Sequence, residues 1–114
     1  MPVQLNGRTC DMTALERIAA KHKLLIVEDA AQGLGSKFRG RPAGSFGAAA
    51  EFSFYPAKVL GCFGDGGAIT TNDDRVAQQM MLLRDHGRNS EGLVVTWGLN
   101  SRLDNLHAAI LLVK

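Results

Sequence analysis

The sequence predicts an α/β domain, and three observations carry that expectation. Helical periodicity alternates along the chain with short apolar runs of strand length. One of those runs, Leu24-Leu25-Ile26-Val27, is continuous, the pattern of a strand buried on both faces of a parallel sheet. The glycines gather between Gly33 and Gly67, where turns must join short elements.

Taken in order, residues 2–5 read as the end of a strand, Asn6-Gly7 as a turn, and Asp11 as the N-cap of a helix. In that helix Met12, Leu15, Ile18 and Ala19 fall on one stripe, and Lys21, His22 and Lys23 put positive charge at the negative end of the helix dipole. The apolar strand at 24–27 ends in Glu28 and Asp29. Residues 36–44 read as two extended pieces around a glycine turn, with their charges on a solvated face. Residues 48–55 are a second strand, after which Pro56 starts a helical turn or loop. Gly64-Asp65-Gly66-Gly67 turns the chain into a third strand, Ala68-Ile69-Thr70. Asn72-Asp73-Asp74 opens a helix with Val76, Ala77, Met80, Leu82 and Leu83 inside, so its methionines are expected in the core; His86-Gly87 closes it. Ser101 is the expected cap of a last helix carrying Leu103, Leu106, Ala109, Ile110 and Val113.

Composition bounds the function. The 114 residues are 46% apolar and include only 3 prolines, enough for one core and unlike disordered or fibrous chains. The +2 charge comes from 13 basic and 11 acidic side chains spread along the chain, which argues against nucleic acid and anionic membranes as partners. There is no secretory apolar region and no run that would span a bilayer, so a cytoplasmic protein with Cys10 and Cys62 reduced is expected. His22, His86 and His107 lack metal-ligand spacing, so no metal is expected.

Two residues stand out chemically. Asp29 ends a buried strand, where open α/β sheets place ligands, although Glu28 and Asp29 also read as a solvated strand end or a helix cap. Lys58 has Val59, Leu60, Cys62 and Phe63 as neighbours, an apolar surround that would depress its basicity and suit a nucleophilic amine; the alternative is a lysine snorkelling from a half-buried turn. The glycine turn at 64–67 fits neither common phosphate-binding pattern, and Ser90 with His86 lacks the rest of a hydrolytic triad.

Five ordered motifs then come together: Val-Glu-Asp-Ala-Ala-Gln at 27–32, Gly-Ser-Phe-Gly at 44–47, Phe-Ser-Phe-Tyr-Pro-Ala-Lys at 52–58, Gly-Asp-Gly-Gly-Ala at 64–68 and Asn-Ser-Arg-Leu-Asp at 100–104. Together they resemble the DegT/DnrJ/EryC1/StrS aminotransferases, pyridoxal-phosphate (PLP) enzymes of the aspartate aminotransferase fold that act mostly on nucleotide-linked keto sugars. The resemblance covers essentially the whole chain. It implies that Lys58 carries PLP and moves the substrate proton, and that Asp29 pairs with the pyridinium nitrogen. It implies Gln32 near the phenolic oxygen, Ala30 or Ala31 against the ring, Ser53 on the phosphate, and Asn100 reaching the cofactor of the other subunit of a homodimer. Lysine at position 58, where the sugar dehydratases of the family carry histidine, favours transamination with an amino acid donor such as glutamate. Ala48 and Val59 depart from the usual acidic and polar residues at their positions, outside the catalytic roles.

On this resemblance residues 1–114 are part of the large, cofactor-binding domain, about the middle third of such an enzyme, without the upstream segment and the C-terminal small domain. Two other readings stay open: an inactive fragment that at most associates with a complete homologue through residues 100–114, and an unrelated α/β binding module.

Overall fold

In the computed structural model, which describes all of residues 1–114, the first regular element is helix α1 (Met12–His22). Asp11 caps it as expected, its carboxylate accepting from the Ala14 N–H at 3.1 Å. Lys23, in the left-handed conformation at φ 53°, ends it by returning its N–H to the carbonyls of Ala19 and Ala20. Met12 and Ala19 are buried and Leu15 is half-buried, so the apolar stripe faces inward; Ile18, at its edge, is exposed.

Strand β1 (Val27–Asp29) starts later than the apolar run and includes both acidic residues. Leu24 and Leu25 are 61% and 84% exposed, because strand pairing begins only at Ile26, whose carbonyl accepts the Ala48 N–H at 2.8 Å. Residues 2–5 contribute a single parallel bridge, Val3 to Asp29, and then a 3-10 turn (Leu5–Gly7), rather than a strand.

Strands β2 (Lys37–Phe38) and β3 (Arg41–Pro42) form the expected antiparallel hairpin. Its turn residues, Arg39 and Gly40, both have positive φ, as a two-residue hairpin turn requires. Arg41 ties the hairpin down: its guanidinium lies 4.2 Å from the Phe46 ring centroid and 3.0 Å from Glu16 of α1.

Strands β4 (Ala49–Ser53) and β5 (Gly67–Thr70) complete a three-stranded sheet in the order β1-β4-β5. β4 runs parallel to β1, with Asp29 opposite Glu51, and antiparallel to β5, with Glu51 opposite Ile69. Because side chains alternate along a strand, Asp29, Glu51 and Ser53 share one face, and Glu28, Ala50 and Phe52 share the other. All four β5 residues are exposed.

Helix α2 (Asp74–Arg84) is capped by Asp73, which accepts from the Arg75 N–H at 2.8 Å, and it ends before His86 and Gly87, both at positive φ. None of its residues is buried: Met80 is half-buried and Met81 exposed, so Met12 is the one methionine in the core. Helix α3 (Asn105–Val113) starts four residues after Ser101, with Asp104 at the cap position making no side-chain bond; Ser101 is therefore not a cap. No helix is long and apolar enough to cross a membrane.

Only 11 of the 114 residues are buried, while Trp97, Leu106, Leu112 and Val113 stand largely in solvent. Apolar faces and a bare strand edge of this kind drive association. The isolated chain is therefore expected to sediment as oligomers or aggregates. A monomeric species with coincident, sharp unfolding transitions by Trp97 fluorescence and far-UV circular dichroism would contradict this.

Candidate active site

β1 fixes Asp29 from three directions. Its N–H donates to the Pro2 carbonyl at 2.9 Å, its own carbonyl accepts the Gln4 N–H at 2.8 Å, and its Oδ1 accepts the Ala31 N–H at 3.1 Å. The carboxylate is thereby held in a short turn at the end of the strand.

Beside it lies Glu51, a residue the sequence reading passed over. The parallel register sets the two carboxyls side by side, and the Glu51 side chain hydrogen-bonds Asp29. Burial raises the Glu51 pKa above its ordinary 4.5; the hydrogen bond to Asp29 and the negative charge of Asp29 raise it further, while the positive charge of Lys58 pulls it down. Glu51 thus feels both Asp29 and Lys58. The signal for Glu51 was a single carboxylate in a strand otherwise made of alanine, phenylalanine and serine, two residues from Ser53 and so on its face.

Ser53 and Lys58 are connected through Tyr55. Ser53 Oγ accepts the Tyr55 N–H at 3.2 Å, which leaves the hydroxyl hydrogen free to donate, and the Lys58 N–H donates to the Tyr55 carbonyl at 2.9 Å. Cys62 closes the loop: its N–H donates to the Phe54 carbonyl at 2.8 Å and its thiol lies 3.1 and 3.2 Å from the carbonyls of Phe54 and Gly64. The apolar surround expected of Lys58 is only partly there. Cys62 is buried, but Val59 and Phe63 are 83% and 80% exposed, since the tight turn points adjacent side chains outward.

Gly61 allows that turn. A Cβ there would sit 2.8 Å from both the Tyr55 and Pro56 carbonyl oxygens, so the backbone has to move to accept one. Gly61→Ala is expected to cost about 1–3 kcal/mol, read as a lower urea midpoint; an unchanged midpoint would show that the turn is not rigid.

On the opposite face Glu28 is fully buried, not a solvated strand end. Its Oε1 accepts the N–H groups of Phe46 and Gly47 at 2.6 and 3.0 Å, and its Oε2 accepts the Gly44 N–H at 2.9 Å and Gln4 Nε2 at 2.8 Å. Four donors stand in for water around the charge. They pin the segment that feeds β4 to the strand that carries Asp29.

Gln32 Oε1 accepts the Asn6 N–H at 3.2 Å, which leaves its amide hydrogens to donate elsewhere. Ala30 is sealed in the interior, so of the two alanines only the half-buried Ala31 has surface to offer a ligand. Asn100 is not brought to this group within the chain: its side chain meets Arg102 at 3.3 Å and its backbone bridges to Asp85 beyond α2. A cleft of about 890 Å³ runs between β5, α2 and residues 101–103; of the site residues it includes Glu51 but neither Asp29 nor Lys58.

With this geometry in place, comparison with known proteins is decisive. Residues 1–114 in their entirety match the DegT/DnrJ/EryC1/StrS aminotransferase family. The chain belongs to that family. It is 48% identical over 114 residues to the dTDP-3-amino-3,4,6-trideoxy-alpha-D-glucose transaminase of Streptomyces venezuelae, covering 100% of this chain and 30% of that protein. The crystal structure of S. venezuelae DesV in complex with a ketimine intermediate superimposes with a TM-score of 0.91 at 49% identity, over 97% of this chain and 30% of that one. NtdA of Bacillus subtilis, with PMP bound as cofactor, gives a TM-score of 0.84 at 35% identity, over 96% of this chain and 25% of that one. The α/β architecture is therefore that of the PLP-dependent aminotransferases, a family of enzymes, and the chain spans about a third of the length of the relatives it matches.

Proposed function

We propose that residues 1–114 are the part of an aminotransferase large domain that holds PLP, in an enzyme that moves an amino group from an amino acid donor such as glutamate to a keto sugar carried on a nucleotide. The observation that carries this is the register that sets Asp29, Glu51 and Ser53 on one face of the sheet, with Lys58 tied through Tyr55 into the turn that follows β4. PLP, when bound, supplies the electron sink that lets an amine carbon lose its proton.

The donor set suits that cofactor. Asp29, held by Ala31, offers a fixed carboxylate to a protonated ring nitrogen. Lys58 offers the amine that attaches the cofactor and carries the proton between carbons. Ser53 and Gln32 have hydrogens left to donate, to a phosphate and a phenolic oxygen respectively. Ala31 leaves room for a flat ring, and Asn100 is assigned to the site of the partner subunit in a homodimer.

The test is reconstitution of a full-length protein carrying residues 1–114 with PLP, glutamate and a dTDP- or UDP-linked keto sugar. An amino sugar formed in step with 2-oxoglutarate is the expected product; no amine transfer to any keto sugar would overturn the reading. A second reading draws support from the exposed apolar residues of α3: the 114-residue chain alone is inactive and associates with a complete homologue through residues 100–114. Co-purification with such a homologue, lost on Leu106→Asp, would support it.

A further inference from the structure

Glu51 has no part in the roles described above, yet the sheet sets it directly beside Asp29. The two residues are aligned across the parallel β1–β4 pair, and the Ala30 N–H donates to the Glu51 carbonyl at 2.9 Å, which locks that register. Both side chains project from the same face and both residues are half-buried. Asp29 Oδ1 is already engaged by the Ala31 N–H. Two carboxylates so placed repel, and one proton shared between them relieves the repulsion.

We propose that Glu51 is a positioning residue for Asp29: it holds a proton against the Asp29 carboxylate while no ring nitrogen is present, and gives that proton up when the pyridine nitrogen of PLP pairs with Asp29. This rests on the PLP reading above. The proton is accounted for in either case. A nitrogen that arrives protonated keeps its own hydrogen and the Glu51 proton leaves to solvent; an unprotonated nitrogen takes the shared proton through Asp29. Both routes end with two carboxylates facing one pyridinium. The charged groups that face Glu51 are Asp29 from β1 and Lys58 from the turn after β4; its β5 neighbour, Ile69, carries no charge.

The sign of the pH effect follows from linkage. Burial and Asp29 raise the Glu51 pKa when no ring nitrogen is present, and a cation beside it returns that pKa toward the ordinary value. On the acid side of neutrality, where the ring nitrogen arrives protonated, PLP binding between the two values expels one proton, so affinity rises with pH by up to about tenfold per unit. Glu51→Gln removes this step.

Two measurements test the proposal. In the full-length protein freed of cofactor, the Glu51 side-chain carbon is titrated by NMR; the midpoint is expected above 4.5 and is expected to fall on Asp29→Asn. An ordinary midpoint that ignores Asp29→Asn overturns the pairing. In the full-length protein, PLP affinity is measured by absorbance on the acid side of neutrality for wild type and Glu51→Gln. A steeper pH slope in wild type supports the proposal, and equal slopes overturn it. If PLP binds neither protein at any pH, the cofactor reading itself has failed, which the NMR titration separates from failure of the carboxyl pair.

Discussion

Replacing Lys58 by alanine is expected to abolish borohydride trapping of PLP on the full-length protein and to lower turnover by at least about 10²–10⁴-fold, the range for losing a positioned proton carrier. The expectation follows from the placement of the residue. Its backbone is fixed through Tyr55, and Cys62 and Gly61 close the turn around it; Lys114, whose Nζ donates to the Gly61 carbonyl at 2.7 Å, is the other amine at this turn. Partial rescue by an added small amine would separate lost chemistry from lost folding. PLP still trapped on another lysine of Lys58→Ala, with turnover intact, would remove Lys58 from the site. The isolated 114-residue chain is expected to bind PLP weakly or not at all, so stoichiometric trapping on it would show that the described residues suffice.

Glu28→Ala is the substitution expected to damage the fold most. It removes a buried carboxylate and strands the N–H groups of Gly44, Phe46 and Gly47 together with the Gln4 amide. Each N–H group left buried without an acceptor costs about 1–3 kcal/mol, so losing four together takes a large part of what a domain of this size has to spare. Glu28→Gln keeps the volume but turns an NH2 toward two of the four donors, and is expected to lose nearly as much. Loss of the urea transition in both variants is the expected result. A midpoint within experimental error of wild type would mean that water satisfies those donors equally well.

Much of this was legible in the chain before any coordinates. The cap at Asp11, the helix start within Asn72-Asp73-Asp74 and the hairpin around Gly40 are local, set by residues within a few positions of one another, and they were found. The family motifs also placed Asp29, Ser53 and Lys58 near the positions that the sheet brings together. What failed was non-local. Leu24, Leu25 and Met81 look like core in composition but lie in solvent, because burial depends on which layers cover a surface. Glu28 and Glu51 were misjudged or missed for the same reason: adjacent residues and like charges told nothing of Gly44, Phe46 and Gln4 around one, or of Asp29 beside the other.

The hub around Glu28 shapes how substitutions are tolerated. Three of its four donors are main-chain amides, which every residue except proline possesses. The hub therefore recognises a backbone shape and is blind to side-chain identity at Phe46, whose ring is free to answer to Phe38 and Arg41 instead. Sensitivity is concentrated at Glu28 and at the two glycines of the loop it grips, Gly44 and Gly47, where a Cβ would meet the Phe52 ring and the Ile26 carbonyl. Drift in this loop is therefore confined to positions 45 and 46, while Gly44, at φ 84° against the Phe52 ring, and Gly47, packed on the Ile26 carbonyl, hold the entry into β4 and with it the spacing of Asp29 and Glu51.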